Sequence, residues 1–226
     1  MSTASSTPTP QRGPGRPPAG TSQGESVRDR LLDAATALAV EQGFDACGLR
    51  EIAARAGVSS GMVSYYFGDR DGLHDAMFQR ALVRASQQVA RLLADGEHTL
   101  DTLDAFVRLH VGILAADPWI PQFIAREVLG GDSGRRGYVA HRVGGGPLRM
   151  LVDWIEAGVA RGELRADLDP QLAALSLASI AIFPFIILPV IGAEFGLTLE
   201  QLSPERLIEH NRSLLNLGMR AREDDA

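Results

Sequence analysis

Apolar side chains recur along this chain every three or four residues, the spacing of a helix with one buried face. No stretch alternates with the period of two that a half-buried strand needs, so the pattern predicts an all-α fold. Val27, Leu31, Ala34, Ala35 and Leu38 form the first stripe, with Ser26 and Asp29 as a capping pair before it and Gly43 ending it. Ile52, Ala53 and Ala56 mark a second, short helix. Residues 59–67 make a third, and a fourth runs from about Arg70 to Leu93, with Leu73, Met77, Ala81 and the stem of Arg84 turned inward. Leu100, Leu103, Phe106, Val107, His110, Val111 and Leu114 define a fifth. Trp119 to Leu129 define a sixth, after Asp117-Pro118. The Gly- and Arg-rich stretch 130–146 predicts a helical piece around Tyr138 to Val143. Pro147 to Arg161 is helical until Gly162, and Asp169-Pro170 opens a helix that reaches toward Ala193. Ser203-Pro204 opens the last, to about residue 220, with serine at the N-cap and proline at the first helical position.

Leu172 to Ala193 carries no charged residue and is long enough to cross a bilayer. Its flanks are acidic (Asp167, Asp169, Glu194), Pro184 and Pro189 interrupt it, and the chain offers no second span. A helix apolar all round is also what the interior of a protein or an oligomer holds, and that is the expectation here. Membrane association through this segment stands as an alternative that solubility without detergent would dispose of. The two prolines are expected to kink or break the helix.

Residues 49–67, LREIAARAGVSSGMVSYYF, carry the most specific signal. Gly57 stands where a helix end needs a left-handed residue, Val58 can fill the space between two helices, and Ser59 is placed to N-cap the second. Helix, glycine turn and helix make a helix-turn-helix, whose second helix lies in the DNA major groove. That second helix offers Ser60, Gly61, Ser64, Tyr65 and Tyr66, hydroxyls and aromatics suited to phosphates and base edges. Arg50 can meet the phosphate backbone, and Arg70, just after the capping Asp69, can reach another phosphate. The competing reading is a helical hairpin in a protein-binding adaptor, its tyrosines merely packed. Retention on specific DNA at moderate salt would separate the two.

Ala56-Gly57-Val58-Ser59, Gly61, Val63, Tyr65, Tyr66-Phe67, Arg70 and Leu73 follow an order that resembles the TetR/AcrR family of bacterial transcriptional regulators. The likeness covers about residues 25–82. Ser64 stands where the family usually has tyrosine, Arg70 where it has lysine, and Cys47-Gly48 where threonine often opens the second helix. The resemblance implies an N-terminal three-helix helix-turn-helix DNA-binding domain, 25–70, and a C-terminal helical ligand-binding and dimerisation bundle, 71–222; the Pro-, Ser-, Thr- and Gly-rich residues 1–24 before them are expected to be a disordered tail. It implies a cytoplasmic homodimer, joined through the last two long helices, on a palindromic operator of double-stranded DNA. Leu207, Ile208, Asn211, Leu214, Leu215 and Gly218 supply an apolar face on the last helix for that contact. Two recognition helices roughly 34 Å apart then read successive major grooves. It also implies a small-molecule effector in the bundle, with Phe106, His110, Trp119, Phe123, Met150, Trp154, Phe183 and Phe185 as candidate contacts and Arg126 for an anionic group. For each of these, core packing is the competing and commoner reading. Repression is the family's tendency, and activation stays open.

Charge refines this picture. The 226 residues carry a net charge of −6, and all 22 basic residues are arginine. Residues 25–95 hold 8 arginines against 10 carboxylates, while 96–226 hold 12 against 18. The acidity therefore lies mostly outside the DNA-binding segment, where binding must rest on a few placed arginines and not on a broad basic field. Arg12 and Arg16 in the tail are readable as a minor-groove arm or as part of an inert tail. One cysteine, Cys47, excludes a disulfide framework within the chain. No catalytic motif, phosphate loop or metal-ligand spacing is present, so no enzyme activity, cofactor or metal is expected.

Overall fold

The computed structural model describes residues 26–43, 48–95, 99–130 and 133–219. Cys47, Arg12, Arg16 and the tail expected over 1–24 lie outside the described residues. Among the described residues ten α-helices follow in chain order: α1 Val27–Gln42, α2 Leu49–Arg55, α3 Gly61–Phe67, α4 Arg70–Asp95, α5 Leu100–Ala116, α6 Trp119–Leu129, α7 Ser133–Gly144, α8 Pro147–Ala160, α9 Pro170–Phe195 and α10 Pro204–Met219. The Ser26 hydroxyl caps α1 by accepting from the Asp29 N–H at 3.1 Å, and Ser203 does the same for Arg206 of α10 at 3.2 Å. α7 is longer than its sequence predicts. Its glycines disfavour a helix, but Val139 is buried against the neighbouring core, and packing overrides propensity.

Two apolar cores share α4. Its first half joins α1–α3 through Leu31, Leu38, Ile52, Val63 and Leu73. The same core continues through Phe78, which stacks on Phe123 of α6 with ring centroids 4.6 Å apart. The far half of α4 joins the second core, around Leu103, Phe106, Leu151, Trp154 and Ile155.

α9 does not break at its prolines. Pro184 has no N–H to give the Ile180 carbonyl one turn back. Asn211 of α10 supplies the missing donor, its side-chain amide lying 3.4 Å from that oxygen. The helix therefore continues because a neighbour answers the orphaned carbonyl. α9 remains long and apolar enough to cross a membrane by length and composition. One face packs on the bundle through Ala174, Leu177, Ala181, Phe185 and Leu188, while Leu172, Leu175, Phe183 and Val190 stay exposed on others.

Candidate DNA-binding face and effector cavity

The turn between α2 and α3 is built as its glycine requires. Gly57 takes φ +67°, the left-handed region, and the Val58 N–H closes back onto the Ala53 carbonyl at 3.0 Å. Val58 packs half-buried against the first core, and Val63 is fully enclosed. Anchoring Val63, with Met62 and Phe67 beside it, turns the rest of α3 outward. Ser59, Ser60, Gly61, Ser64, Tyr65 and Tyr66 are all exposed, as are Arg50 and Arg70. Tyr65 leaves 78 % of its surface open, with its ring edge-on to Tyr66 at 5.1 Å. An aromatic this open is not a core residue, which sets aside the reading in which both tyrosines are core.

One local expectation fails. Ser59 does not N-cap α3; the helix begins after Ser60, whose backbone is already α-helical (φ −58°, ψ −29°). A side-chain cap needs an extended residue to swing its oxygen toward the N–H groups, so the turn closes through the main chain instead, Met62 N–H to Ser59 carbonyl at 3.0 Å. The serine hydroxyls are thereby kept from capping duty.

Asp69 caps α4 as the sequence predicts, accepting from the Gly72 N–H at 2.8 Å. Gly72 itself is sterically required, because a Cβ there would stand 2.0 Å from the Phe67 carbonyl oxygen. This junction fixes α3 against α4. Arg55 is taken up by a bidentate ion pair with Glu41 that ties α2 to α1. The same contact holds the Glu41 carboxyl below its usual range. Sequence reasoning missed Arg28, which is exposed on α1 with its guanidinium 5.4 Å from the Phe67 ring centroid. No local motif marks it; only the tertiary fold brings this cation of α1 beside the exposed helix.

Within the bundle, α4, α5, α6, α8 and α9 enclose an apolar cavity of about 290 Å³. Phe106 and His110 line it, with Phe78, Leu82, Leu151 and Ile182 among the other walls. The His110 ring borders the open space on one side, but its Nδ1 is buried without a hydrogen-bond partner. Burial pushes its pKa down to about 4, so the imidazole is neutral near pH 7. A second cleft of about 510 Å³ lies beside the cavity, with Trp119 in its wall.

The other candidate contacts fall elsewhere. Phe123 lies behind the cavity, stacked on Phe78. Met150 and Trp154 belong to the second core, so Trp154 is a packing residue and not part of the cavity wall. Phe183 is exposed on the outside of α9, because the helix phase that buries Ala181 and Phe185 turns it away. Phe185 is buried in the first core. Arg126 lines neither space; it pairs with the buried Glu127 at 2.9 Å and lies over the Phe123 ring. On α10, Leu207 and Asn211 are enclosed by their own chain and Leu215 is half-buried, so neither Leu207 nor Asn211 offers a face to a second copy. Leu214 remains 53 % exposed; Gly218 lies in the final turn of the helix. Among the described residues no group of three or more His, Cys, Asp or Glu side chains could hold a metal ion.

Residues 31–77 match the family model described as "Bacterial regulatory proteins, tetR family". The chain is similar to the HTH-type transcriptional repressor NicS of Pseudomonas putida, 29 % identical over 71 % of this chain and 76 % of that protein. It shares its fold with the fatty acid degradation regulator FadR of Bacillus halodurans, with a TM-score of 0.70 and 20 % identity over 89 % of this chain and all of the other. FadR of Bacillus subtilis, solved in complex with stearoyl-CoA, superposes with a TM-score of 0.65 and 19 % identity over 83 % of this chain and 95 % of that one.

Proposed function

We propose that the chain is a member of the tetR family of bacterial regulatory proteins, whose model matches residues 31–77, and acts as a cytoplasmic homodimeric repressor, released from a palindromic operator by a small, mostly apolar effector. One observation carries this reading: α4 begins at the exposed helix-turn-helix face and, two turns on, lines the apolar cavity with Phe78, Ala81 and Leu82. A ligand that fits one orientation of that helix better than another biases both sites, and a few kcal/mol of differential binding is enough. Arg50, Arg70 and Arg28 meet phosphates, while Ser60, Ser64 and Tyr65 face base edges. The dimer forms through the exposed apolar surface of α9 (Leu172, Leu175, Phe183, Val190) and Leu214 of α10. That NicS is a repressor, and that a solved FadR holds an acyl thioester, support the repressor and the apolar ligand respectively.

The test is operator binding. Full-length protein, purified without detergent, is titrated against DNA from upstream of its own coding region and against a scrambled control at moderate salt. Preference for the upstream palindrome, with two chains bound per site, is expected. Equal binding to both DNAs would leave the helical-adaptor reading in its place.

A further inference from the structure

The cavity and the cleft are neighbours of opposite character. Ala81 and Ala85 of α4, Ile113 of α5 and Ile120 of α6 line both, so the two spaces border one another along these small and branched side chains. The cavity is walled almost wholly by hydrocarbon, with His110 and Ser179 the only polar side chains. The cleft carries Arg80, Arg84 and Arg108, against the single carboxylate of Asp117. Asp117 is already engaged, accepting from the Trp119 indole N–H at 2.9 Å. Arg80 is engaged too, with Asp33 at 2.6 Å and the Thr36 hydroxyl at 3.1 Å. Arg84 and Arg108 make no ion pair or hydrogen bond among the described residues. Two such guanidiniums, on adjacent helices and facing one cleft, suit an anion with several acceptor oxygens.

We infer that the effector is an amphipathic anion, its apolar body in the cavity and its phosphate or carboxylate head in the cleft against Arg84 and Arg108. This rests on the effector reading above and names the ligand's class. A purely neutral ligand would leave the two arginines unused; a purely polar one would leave the cavity unfilled. The head also has a route to the DNA-binding unit. Arg80 lines the same cleft and grips Asp33 and Thr36 of α1, so an anion there competes with α1 for Arg80.

The probes are dodecyl phosphate, dodecanol and inorganic phosphate, titrated calorimetrically into the full-length protein below the micellar concentration. Dodecyl phosphate should bind at least tenfold more tightly than dodecanol, and inorganic phosphate should not saturate at millimolar concentration. In the double variant Arg84→Gln/Arg108→Gln that preference should vanish while dodecanol binding stays within twofold. Both positions are exposed, and a melting curve checks the fold. Equal affinity for the two twelve-carbon probes, no binding of either, or a preference that survives in the double variant overturns the inference. Operator binding without probe is measured in parallel. Failure there alone sinks the repressor reading and leaves the ligand assignment standing.

Discussion

Neighbouring residues of one type do different work here, and their place on the helix-turn-helix decides which. Arg55, at the end of α2, pairs with Glu41 of α1, whereas Arg50 stands at the start of α2 and Arg70 at the start of α4. Arg50→Ala and Arg70→Ala should each weaken binding to all DNA and reduce the slope of log affinity against log salt by up to about one unit. An unchanged slope in both removes the phosphate assignment. Changes at Ser60 or Tyr65 should instead alter which base pairs are preferred. His110 carries a second residue-level expectation. Its pKa falls from 6.5 to about 4 on folding because burial disfavours the imidazolium. Between those values the unfolded chain binds the extra proton and the folded one does not, so stability falls as pH drops from about 7 toward 4. The group's contribution is at most about 3 kcal/mol, since one pKa unit is about 1.4 kcal/mol. Below the folded pKa both states are protonated and further acid takes nothing more from this group. Thermal melts of wild type and His110→Leu across that range check it, and the variant should lose this part of the pH dependence.

At the scale of elements, α9 owes its continuity to α10. The Pro184–Ile180–Asn211 arrangement predicts coupling between residues 27 apart in sequence. Asn211→Leu removes the donor and leaves the part-buried Ile180 carbonyl unsatisfied, which costs up to about 1–3 kcal/mol. In a Pro184→Ala background the helix can make its own bond to Ile180, so the same substitution should cost clearly less. A double-mutant cycle by urea unfolding measures this, and equal costs in both backgrounds would show that the amide is not serving that carbonyl.

At the scale of the molecule, α9 leaves a large apolar surface in water. Leu172, Leu175, Phe183, Val190 and Phe195 are each more than half exposed in the single chain. Contiguous apolar surface of this kind marks an interaction site. Val190→Glu and Leu214→Glu should each shift the dimer to monomer in sedimentation, since a charge buried without a partner is strongly disfavoured. Tight binding to the full palindrome should go with it. A folded monomer that binds the palindrome as wild type does would contradict this interface.

The sequence alone determined what depends on near neighbours in the chain. Helical periodicity, the left-handed Gly57, the Asp69, Asp169 and Ser203 caps and the spacing from Ala56 to Leu73 are local. They predict the all-α fold and the eight exposed residues of the helix-turn-helix face. The tertiary structure decided everything that depends on which face of a helix meets which neighbour. An apolar stripe reads the same whether it lines a cavity, fills a core or faces a second copy. So Phe106 and His110 reach the cavity, Trp154 goes to the core and Phe183 goes to the surface, though all four carry the same signal in sequence. Asn211 looked like part of an interface because nothing within α10 shows that Pro184, on another helix, leaves a carbonyl for it to satisfy. Arg28, Arg84 and Arg108 gain their meaning in the same way, from contacts and cavities that link helices distant along the chain.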